Sequence, residues 1–274
     1  MKYLVVGYIT LDKIQNKYQI GGTASYSSLT AQALGSVSAI LTTTDKNRID
    51  LSKLNTIPVF IQQSEHTTIF ENRDVGKHRE QIIHEIADPI SFAILPEDWL
   101  TPDIIHFGPV AGEFDAEWLK NFPSSYKGIT PQGLMRVWDH QGRVTRKSIK
   151  LPLDIVSQFD AIVFSIEDVL EDEDIIEYYA QSANVLAVTE GRLGARIYWK
   201  GDMRHFSAPH VNEINNTGAG DIFASSFFYR HQQTRDPWEA ARFATQLASA
   251  SVTRMGMNSI PTKDEVRNQL IEIL

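Results

Sequence analysis

Residues 215–221 read Asn215-Asn216-Thr217-Gly218-Ala219-Gly220-Asp221, and the apolar run Ile222-Phe223-Ala224-Ser225-Ser226-Phe227-Phe228 follows directly. The run predicts a helix over about 219–231, which places three small residues at the helix start. The first N–H groups of a helix lack intrahelical acceptors and carry the positive end of its dipole, so small residues there let an anion approach the backbone. Asp221 would lie in the first turn, where the dipole favours its ionised form. The segment predicts an anion site with a carboxylate beside it.

A carboxylate next to an anion site is an electrostatic conflict unless a proton, a metal or a hydroxyl substrate lies between them. Phosphoryl transfer meets this condition, because the backbone holds the moving phosphoryl group while the carboxylate accepts the hydroxyl proton. The alternative is that Gly218 and Gly220 only form a turn and that Asp221 caps the helix. The sequence lacks a Walker-type motif and the third glycine of a dinucleotide fingerprint, which excludes those two nucleotide sites.

The rest of the chain alternates short β-rich runs with helical patterns. Strands are predicted at 2–9, 37–41, 103–107, 126–130, 160–164 and 184–188, with a hairpin over 195–206; helices are predicted near 23–34, 115–121, 171–181, 237–254 and 262–273. This βαβ rhythm predicts an α/β fold with a mainly parallel sheet covered by helices on both faces.

A second small β unit is predicted inside this α/β body. Residues 57–70 and 77–86 alternate apolar and polar side chains around a turn that ends at Gly76, which indicates an inserted hairpin. Since no linker or repeat interrupts the chain, we expect one domain over residues 1–274. A small lid would be contributed by about 10–20 and 57–90.

Composition excludes several classes of function. The 274 residues carry 26 Lys and Arg against 34 Asp and Glu, a net charge of −8, with no basic block that could bind a nucleic acid. The absence of cysteine excludes disulfide scaffolds, Cys–zinc sites and thiol nucleophiles. Because no apolar run is long enough to span a bilayer and the N-terminus reads as a buried strand, we expect a cytoplasmic protein that does not interact with membranes.

Four motifs in this order resemble the ribokinase-like (PfkB) family of sugar and nucleoside kinases. They are the signature over 215–221, the Thr-x-Gly-x-x-Gly segment at Thr189, Gly191 and Gly194, the N-terminal Gly7 and Asp12, and the pair Gly21-Gly22. The resemblance covers nearly the whole chain. It implies a three-layer sandwich with a mainly parallel central sheet and a small β lid.

The resemblance also implies a role for each matching residue. Asp221 would be the general base, and Gly218, Ala219 and Gly220 would form the anion hole. Asp12, Gly21 and Gly22 would bind the acceptor; Thr189, Gly191, Gly194 and Asn215 would line the nucleotide site. ATP would be the co-substrate and Mg²⁺ the cofactor.

The sequence also departs from the family pattern. The first Asp of the signature is Asn215, the metal-linked Asn-x-x-Glu is Ser165-Ile166-Glu167-Asp168, and a frequent acceptor-site Asn is Tyr26. Asp168 is therefore the stand-in for a metal-linked carboxylate. The stretches 106–113 and 130–138 resemble a myo-inositol kinase-like branch, which adds Arg136 as a candidate for binding the acceptor.

The function expected from the sequence is a kinase that transfers the γ-phosphoryl group of ATP to a hydroxyl of a small polyol or sugar, with a myo-inositol-like acceptor favoured. A nucleoside kinase of the same fold stays open, as does a sensor that binds sugar or nucleotide without catalysis. The acceptor, the donor preference and the oligomeric state (monomer or lid-mediated dimer) are left undecided by the sequence.

Overall fold

The computed structural model describes residues 1–15, 17–75 and 78–270. The strands are β1 (Lys2–Val6), β2 (Thr10–Ile14), β3 (Lys17–Gly21), β4 (Val37–Thr44), β5 (Val59–Gln63), β6 (Ile69–Val75), β7 (His78–Glu85), β8 (Ile104–Phe107), β9 (Tyr126–Ile129), β10 (Arg136–Trp138), β11 (Val144–Arg146), β12 (Ala161–Ser165), β13 (Leu186–Thr189), β14 (Gly194–Trp199) and β15 (Asp202–Ser207). The α-helices are α1 (Gly22–Ala33), α2 (Leu153–Val156), α3 (Glu173–Ala180), α4 (Ala219–Thr234), α5 (Pro237–Ser251) and α6 (Lys263–Gln269).

The central sheet follows the predicted parallel pattern. Across the described ranges it has nine strands in the order β15-β14-β13-β12-β9-β8-β1-β4-β5. Strand β14 pairs antiparallel with both β13 and β15, and the other neighbours are parallel. In β1, Tyr3 and Val5 pack on one face and Leu4 and Val6 on the other. Because both faces are buried, the strand reads as a continuous apolar run.

Each face of the sheet packs against its own layer. On one face α1, α4 and α5 contribute Ala24, Phe227 and Ala244 to a core with Val5 and Ile40. On the other face α3 and several short 3₁₀ segments pack against the remaining strand residues, with Tyr179 and Phe159 fully buried. The expected three-layer α/β architecture is confirmed.

The predicted hairpin is shorter than expected. The structure places β6 and β7 in an antiparallel pair that joins β2 and β3 in a separate four-stranded sheet, again counted over the described residues. Residues 59–63 do not belong to it, which corrects the first part of the lid prediction. They form β5, which pairs in parallel with β4 at the edge of the central sheet. An edge strand exposes one side, so it alternates as a hairpin strand does. The predicted turn residue Gly76 lies outside the described residues.

A two-stranded ribbon, β10–β11, was not predicted. Its strands are three residues long and are too short for a periodic signal. The turn of the ribbon touches the small sheet, where Ile83 N–H donates to the Gly142 carbonyl over 2.8 Å. The ribbon therefore connects the small sheet to the loop that follows β9.

The C-terminal helices agree with their predicted starts. Pro237 begins α5 as its first residue, and Thr262 caps α6 with a capping box formed with Glu265. The last residues of the helix predicted over 262–273 extend beyond the described part of the chain. Of the helices that the structure describes, none has both the length and the apolar composition that a bilayer span requires.

Candidate active site

The predicted anion site lies where α4 begins. Gly218 caps the helix with φ +82°, and a Cβ there would lie 2.3 Å from Cδ1 of Tyr26. Both the left-handed backbone and the contact with the ring require glycine. No atom of the described residues lies within 4 Å of a Cβ built on Gly220, so the backbone is open on that side.

The N–H groups at this helix start divide into two sets. Ala219 N–H donates to the Asn216 carbonyl over 3.1 Å, and Thr217 N–H donates to Oδ1 of Asn215 over 2.9 Å. Asn215 thus holds the loop, and Ala219 is already bonded. Among the described residues no acceptor contacts the N–H groups of Gly218 and Gly220. These two groups are the ones available to an anion.

Asp221 follows them in the first turn of α4 and is partly exposed. Burial raises the pKa of its carboxyl to about 6, and the neighbouring carboxylates of Asp12 and Asp168 act in the same direction. A hydrogen bond from Thr23 and the charge of Arg136 act against this rise. The expected ionised form therefore holds only above about pH 6, a range suited to a group that takes up a proton at neutral pH.

A chain of hydrogen bonds orients Asp221, and sequence reasoning missed two of its members. Arg136 Nη2 donates to Gln132 Oε1 over 3.1 Å, and Gln132 Nε2 donates to Thr23 Oγ1 over 2.9 Å. The Thr23 hydroxyl is then left to donate to Asp221. The signals for these residues were their positions, Thr23 directly after the Gly-Gly pair and Gln132 four residues before Arg136.

Asp12 and the Gly-Gly pair meet beside Asp221. Thr10 Oγ1 donates to Asp12 Oδ1 over 3.1 Å, and a Cβ on Gly21 would lie 2.3 Å from Asp12 Oδ2. Gly22 has φ +83°, and a Cβ there would lie 2.7 Å from the Tyr8 carbonyl oxygen. The two glycines thus let the carboxylate of Asp12 and the start of α1 approach each other.

Tyr26 lies between these two carboxylates. Burial raises the pKa of its phenol, and Asp12 and Asp221 both add to the rise. Within the described residues no hydrogen-bond partner is found for its hydroxyl, while its ring packs on Gly218. The side chain is only 4% exposed, so its ring forms the wall beside Gly218 while its phenol lies within electrostatic range of both carboxylates.

The stretch 106–113 includes a loop whose backbone N–H groups bind the buried carboxylate of Glu113. Glu113 accepts hydrogen bonds from the N–H groups of Tyr8, Val110 and Ala111 at 3.1, 2.9 and 2.7 Å. Arg136 Nη1 donates to the Val110 carbonyl over 3.0 Å, and its guanidinium lies 5.4 Å from the ring centre of Phe70 in β6. Glu113, which the sequence did not single out, thus joins the loops after β1 and β8.

Asp168, the expected stand-in for a metal-linked carboxylate, lies next to a backbone N–H and near two arginines. It accepts from Ser165 N–H over 3.0 Å, and one of its oxygens lies 4.0 Å from Nε of Arg146. Arg136 also acts on it electrostatically. One carboxylate oxygen thus accepts a backbone hydrogen bond, and the other lies 4.0 Å from a guanidinium group, which competes with a cation for it. Among the described residues no cluster of three or more acidic or histidine side chains could hold a metal ion.

The predicted nucleotide residues lie beyond Asp168 at the same sheet edge. Ser165 and Thr189 are in register across β12 and β13. Gly191 is exposed with φ +57° and has open space beside it, as a ligand loop requires. Gly194 is different: it is buried with φ +111°, and a Cβ there would lie 1.9 Å from the Phe206 carbonyl oxygen. The packing of the β14–β15 hairpin therefore explains Gly194.

Comparison with known proteins agrees with this geometry. Residues 160–263, from β12 to the start of α6, match the family described as pfkB family carbohydrate kinase. This part of the chain, which includes the start of α4 with Gly218, Gly220 and Asp221, is thus similar to that family. The 5-dehydro-2-deoxygluconokinase of Lacticaseibacillus casei is 27% identical over 98 residues, which cover 35% of this chain and 30% of the relative. The segments of this chain that align with curated relatives span less than half the length of those relatives.

Solved structures show a likeness in fold over nearly the whole chain. A pyrophosphate-dependent kinase in the ribokinase family, complexed with a pyrophosphate analog and myo-inositol, superposes with a TM-score of 0.80 at 18% identity and covers 97% of this chain and 99% of that one. A sugar kinase from Pyrococcus horikoshii in complex with ATP superposes with a TM-score of 0.72 at 19% identity, covering 98% and 100%. At these identities the likeness establishes the fold.

Proposed function

We propose that this protein is a kinase that transfers the terminal phosphoryl group of ATP to a hydroxyl of a small, uncharged polyol or sugar, with myo-inositol as the first acceptor to test. The observation that carries the proposal is the position of Asp221. Its carboxyl has a pKa raised to about 6, stands in the first turn of α4, and adjoins the open N–H groups of Gly218 and Gly220.

Each part of this arrangement has a task in the proposed reaction. The acceptor hydroxyl lies against Asp221, which takes its proton as the hydroxyl oxygen bonds to the γ-phosphorus. The bond from that phosphorus to the β,γ-bridging oxygen breaks, and ADP leaves with the bonding electrons. The N–H groups of Gly218 and Gly220 stabilise the charge on the phosphoryl oxygens in the transition state. Thr23 holds the carboxylate in one orientation, so little reorganisation is needed when the proton moves.

The acceptor class follows from the residues around Asp12. A carboxylate can accept hydrogen bonds from two adjacent hydroxyl groups, and the Tyr26 hydroxyl supplies another polar contact. Three carboxylates act on this cleft, those of Asp12, Asp168 and Asp221, which disfavours an anionic acceptor.

The donor is proposed to be ATP, with inorganic pyrophosphate as the second candidate. The fold of the ATP-bound sugar kinase supports the first, and the higher TM-score of the pyrophosphate-dependent kinase, 0.80 against 0.72, favours testing the second. Mg²⁺ belongs to the proposal only as the counter-ion that accompanies the donor, because Asp168 is already paired with Ser165 N–H and Arg146.

The small sheet is proposed to act as a lid over this cleft, within one kinase domain. It brings Asp12 on β2 and Phe70 on β6 to the site, and Phe70 packs against the Arg136 guanidinium. A lid that closes on the acceptor would exclude water from the phosphoryl group and so limit hydrolysis of the donor.

The test is a phosphoryl-transfer screen in magnesium buffer. Each donor, ATP and pyrophosphate, is combined with myo-inositol, fructose, ribose, cytidine and adenosine, and the phosphorylated acceptor is measured directly. The Asp221→Asn variant is the matched control. We expect turnover of a polyol or hexose that the control loses.

Other outcomes of the screen decide between the alternatives. Phosphorylation of cytidine or adenosine far faster than any polyol would identify a nucleoside kinase. Saturable binding of acceptor and donor with no turnover in any combination would identify a sensor. Either result would refute the proposed polyol kinase.

A further inference from the structure

The ribbon β10–β11 presents two arginines side by side. Arg136 and Arg146 are directly opposite each other in the antiparallel pairing, so their side chains leave the same face of the ribbon. Like charges in this position destabilise a strand pair unless an anion compensates them. In this structure the compensating negative charge comes from Glu167 and Asp168.

The two guanidinium groups differ in how firmly they are held. Arg136 is fixed by its bonds to the Val110 carbonyl and Gln132, which use two of its five N–H donors. Arg146 has a side chain that is 43% exposed, and it contacts Glu167 over 3.0 Å and Asp168 over 4.0 Å. An exposed ion pair of this kind contributes little to stability, so an incoming anion can displace it.

The pair lies on the donor side of the cleft. Its carboxylate neighbour Asp168 follows β12, which is in register with Thr189 of β13, the start of the predicted nucleotide segment. Arg136 and Asp168 both act electrostatically on Asp221 at the start of α4. Arg146 therefore lies beside the carboxyl end of β12, next to that of β13, and Arg136 lies near enough to Asp221 to act on its carboxylate.

The chemistry of the donor matches this placement. A phosphoryl donor brings several negative charges to a region where no described cluster of side chains could hold a metal ion. Guanidinium groups bind phosphate oxygens in a bidentate manner and keep their charge at all accessible pH values. We propose that Arg146, supported by Arg136, binds the pyrophosphate group of the donor, a group that ATP and inorganic pyrophosphate share. The inference rests on the proposed kinase function.

The test measures equilibrium binding of the donor and does not depend on turnover. Titration calorimetry of the wild-type protein with ATP and with pyrophosphate first identifies which donor supplies the group. Arg146→Met, which keeps the length of the side chain and removes its charge, is expected to weaken binding of that donor by about ten- to a hundredfold. Its affinity for the acceptor is expected to stay within about twofold of wild type, because the acceptor contacts are separate.

Two further variants make the test specific. Arg143→Met is the matched control. Arg143 directly precedes β11 but pairs with Asp139 over 2.8 Å, so its replacement should leave donor binding unchanged. Glu167→Gln removes the carboxylate that competes with the donor for Arg146. Its donor affinity is expected to rise about two- to fivefold, the range of an exposed ion pair.

The outcomes separate this inference from the proposed function. Donor binding by Arg146→Met within twofold of wild type, an equal loss in Arg143→Met, or a wild-type protein that binds neither donor would overturn the inference. Turnover by the wild type with unchanged donor binding in Arg146→Met would refute the arginine site and leave the kinase. Weakened donor binding without any turnover in the wild type would support the arginine site and refute the kinase.

Discussion

Replacing Asp221 by Asn should have opposite effects on activity and on stability. The amide keeps the size of the side chain, and its oxygen can still accept the hydrogen bond from Thr23, but it cannot take a proton. Turnover should fall by roughly 10²–10⁴, the usual contribution of a positioned general base. The acceptor should bind with little change, because Asp12 supplies a separate contact.

The stability effect follows from the pKa of Asp221. Burial raises it from 3.8 to about 6, so the folded state binds the proton more tightly than the unfolded state does. This stabilisation is complete below pH 3.8 and is lost as the pH rises through 6. At about 1.4 kcal/mol per pKa unit, the ionised carboxylate destabilises the fold by about 3 kcal/mol at pH 8. Partial exposure and the loss of up to about 1 kcal/mol of helix-dipole stabilisation reduce the expected gain of the Asn variant to about 2 kcal/mol.

Thermal unfolding followed by circular dichroism at pH 8 and pH 5 measures this gain. At pH 8 the melting temperature of Asp221→Asn should exceed that of wild type by roughly 4–8 °C for a chain of this size. At pH 5 the wild-type carboxyl is largely protonated, so the difference in free energy of unfolding between the variant and wild type should be about 1 kcal/mol smaller than at pH 8. An equal or lower melting temperature at pH 8 would show that the carboxylate is well solvated. Turnover within threefold of wild type would reduce Asp221 to a helix cap and remove the basis of the kinase proposal.

Three more results are expected. Thr23→Val removes a hydrogen bond that lowers the pKa of Asp221, so the acid limb of the pH–rate profile, near pH 6 in wild type, should move up by roughly 0.5–1 pH unit. The control Thr23→Ser keeps the hydroxyl and should leave the limb in place. An unmoved limb in Thr23→Val contradicts the hydrogen-bond chain. Gly21→Ala puts a methyl group 2.3 Å from Oδ2 of Asp12, which must then move. The KM for the acceptor should rise about ten- to a hundredfold, and the KM for the donor should change little. An unchanged acceptor KM argues against acceptor binding by Asp12. Hydrogen exchange in 69–75 and 78–85 should slow when acceptor and donor are both bound, and unchanged exchange at saturation speaks against a lid.

The fold could be predicted from local patterns because its strands and helices bury whole faces. β1 is apolar on both sides, and α1 ends beside Gly35 as the periodicity indicated. The prediction was wrong at residues 59–63, since an edge strand and a hairpin strand show the same alternation and only the pairing with β4 distinguishes them. The ribbon carrying Arg136 and Arg146 gave no signal because its strands are too short for a period.

The sequence by itself determined the motif at the start of α4, with Asp221 next to small residues, because these features are contiguous and their helix-start geometry is local. Only the tertiary structure decided what surrounds that carboxylate. Thr23 lies 198 positions before Asp221 in the chain and Gln132 lies 89 positions before it, yet the two form the hydrogen-bond chain that orients it. Likewise, the sequence aligns Asp168 with a metal-linked carboxylate. It does not show that Arg146, on the ribbon strand β11, lies beside that carboxylate. Charge and hydrogen bonding act over a few ångströms of space, whereas a sequence pattern records only neighbours along the chain.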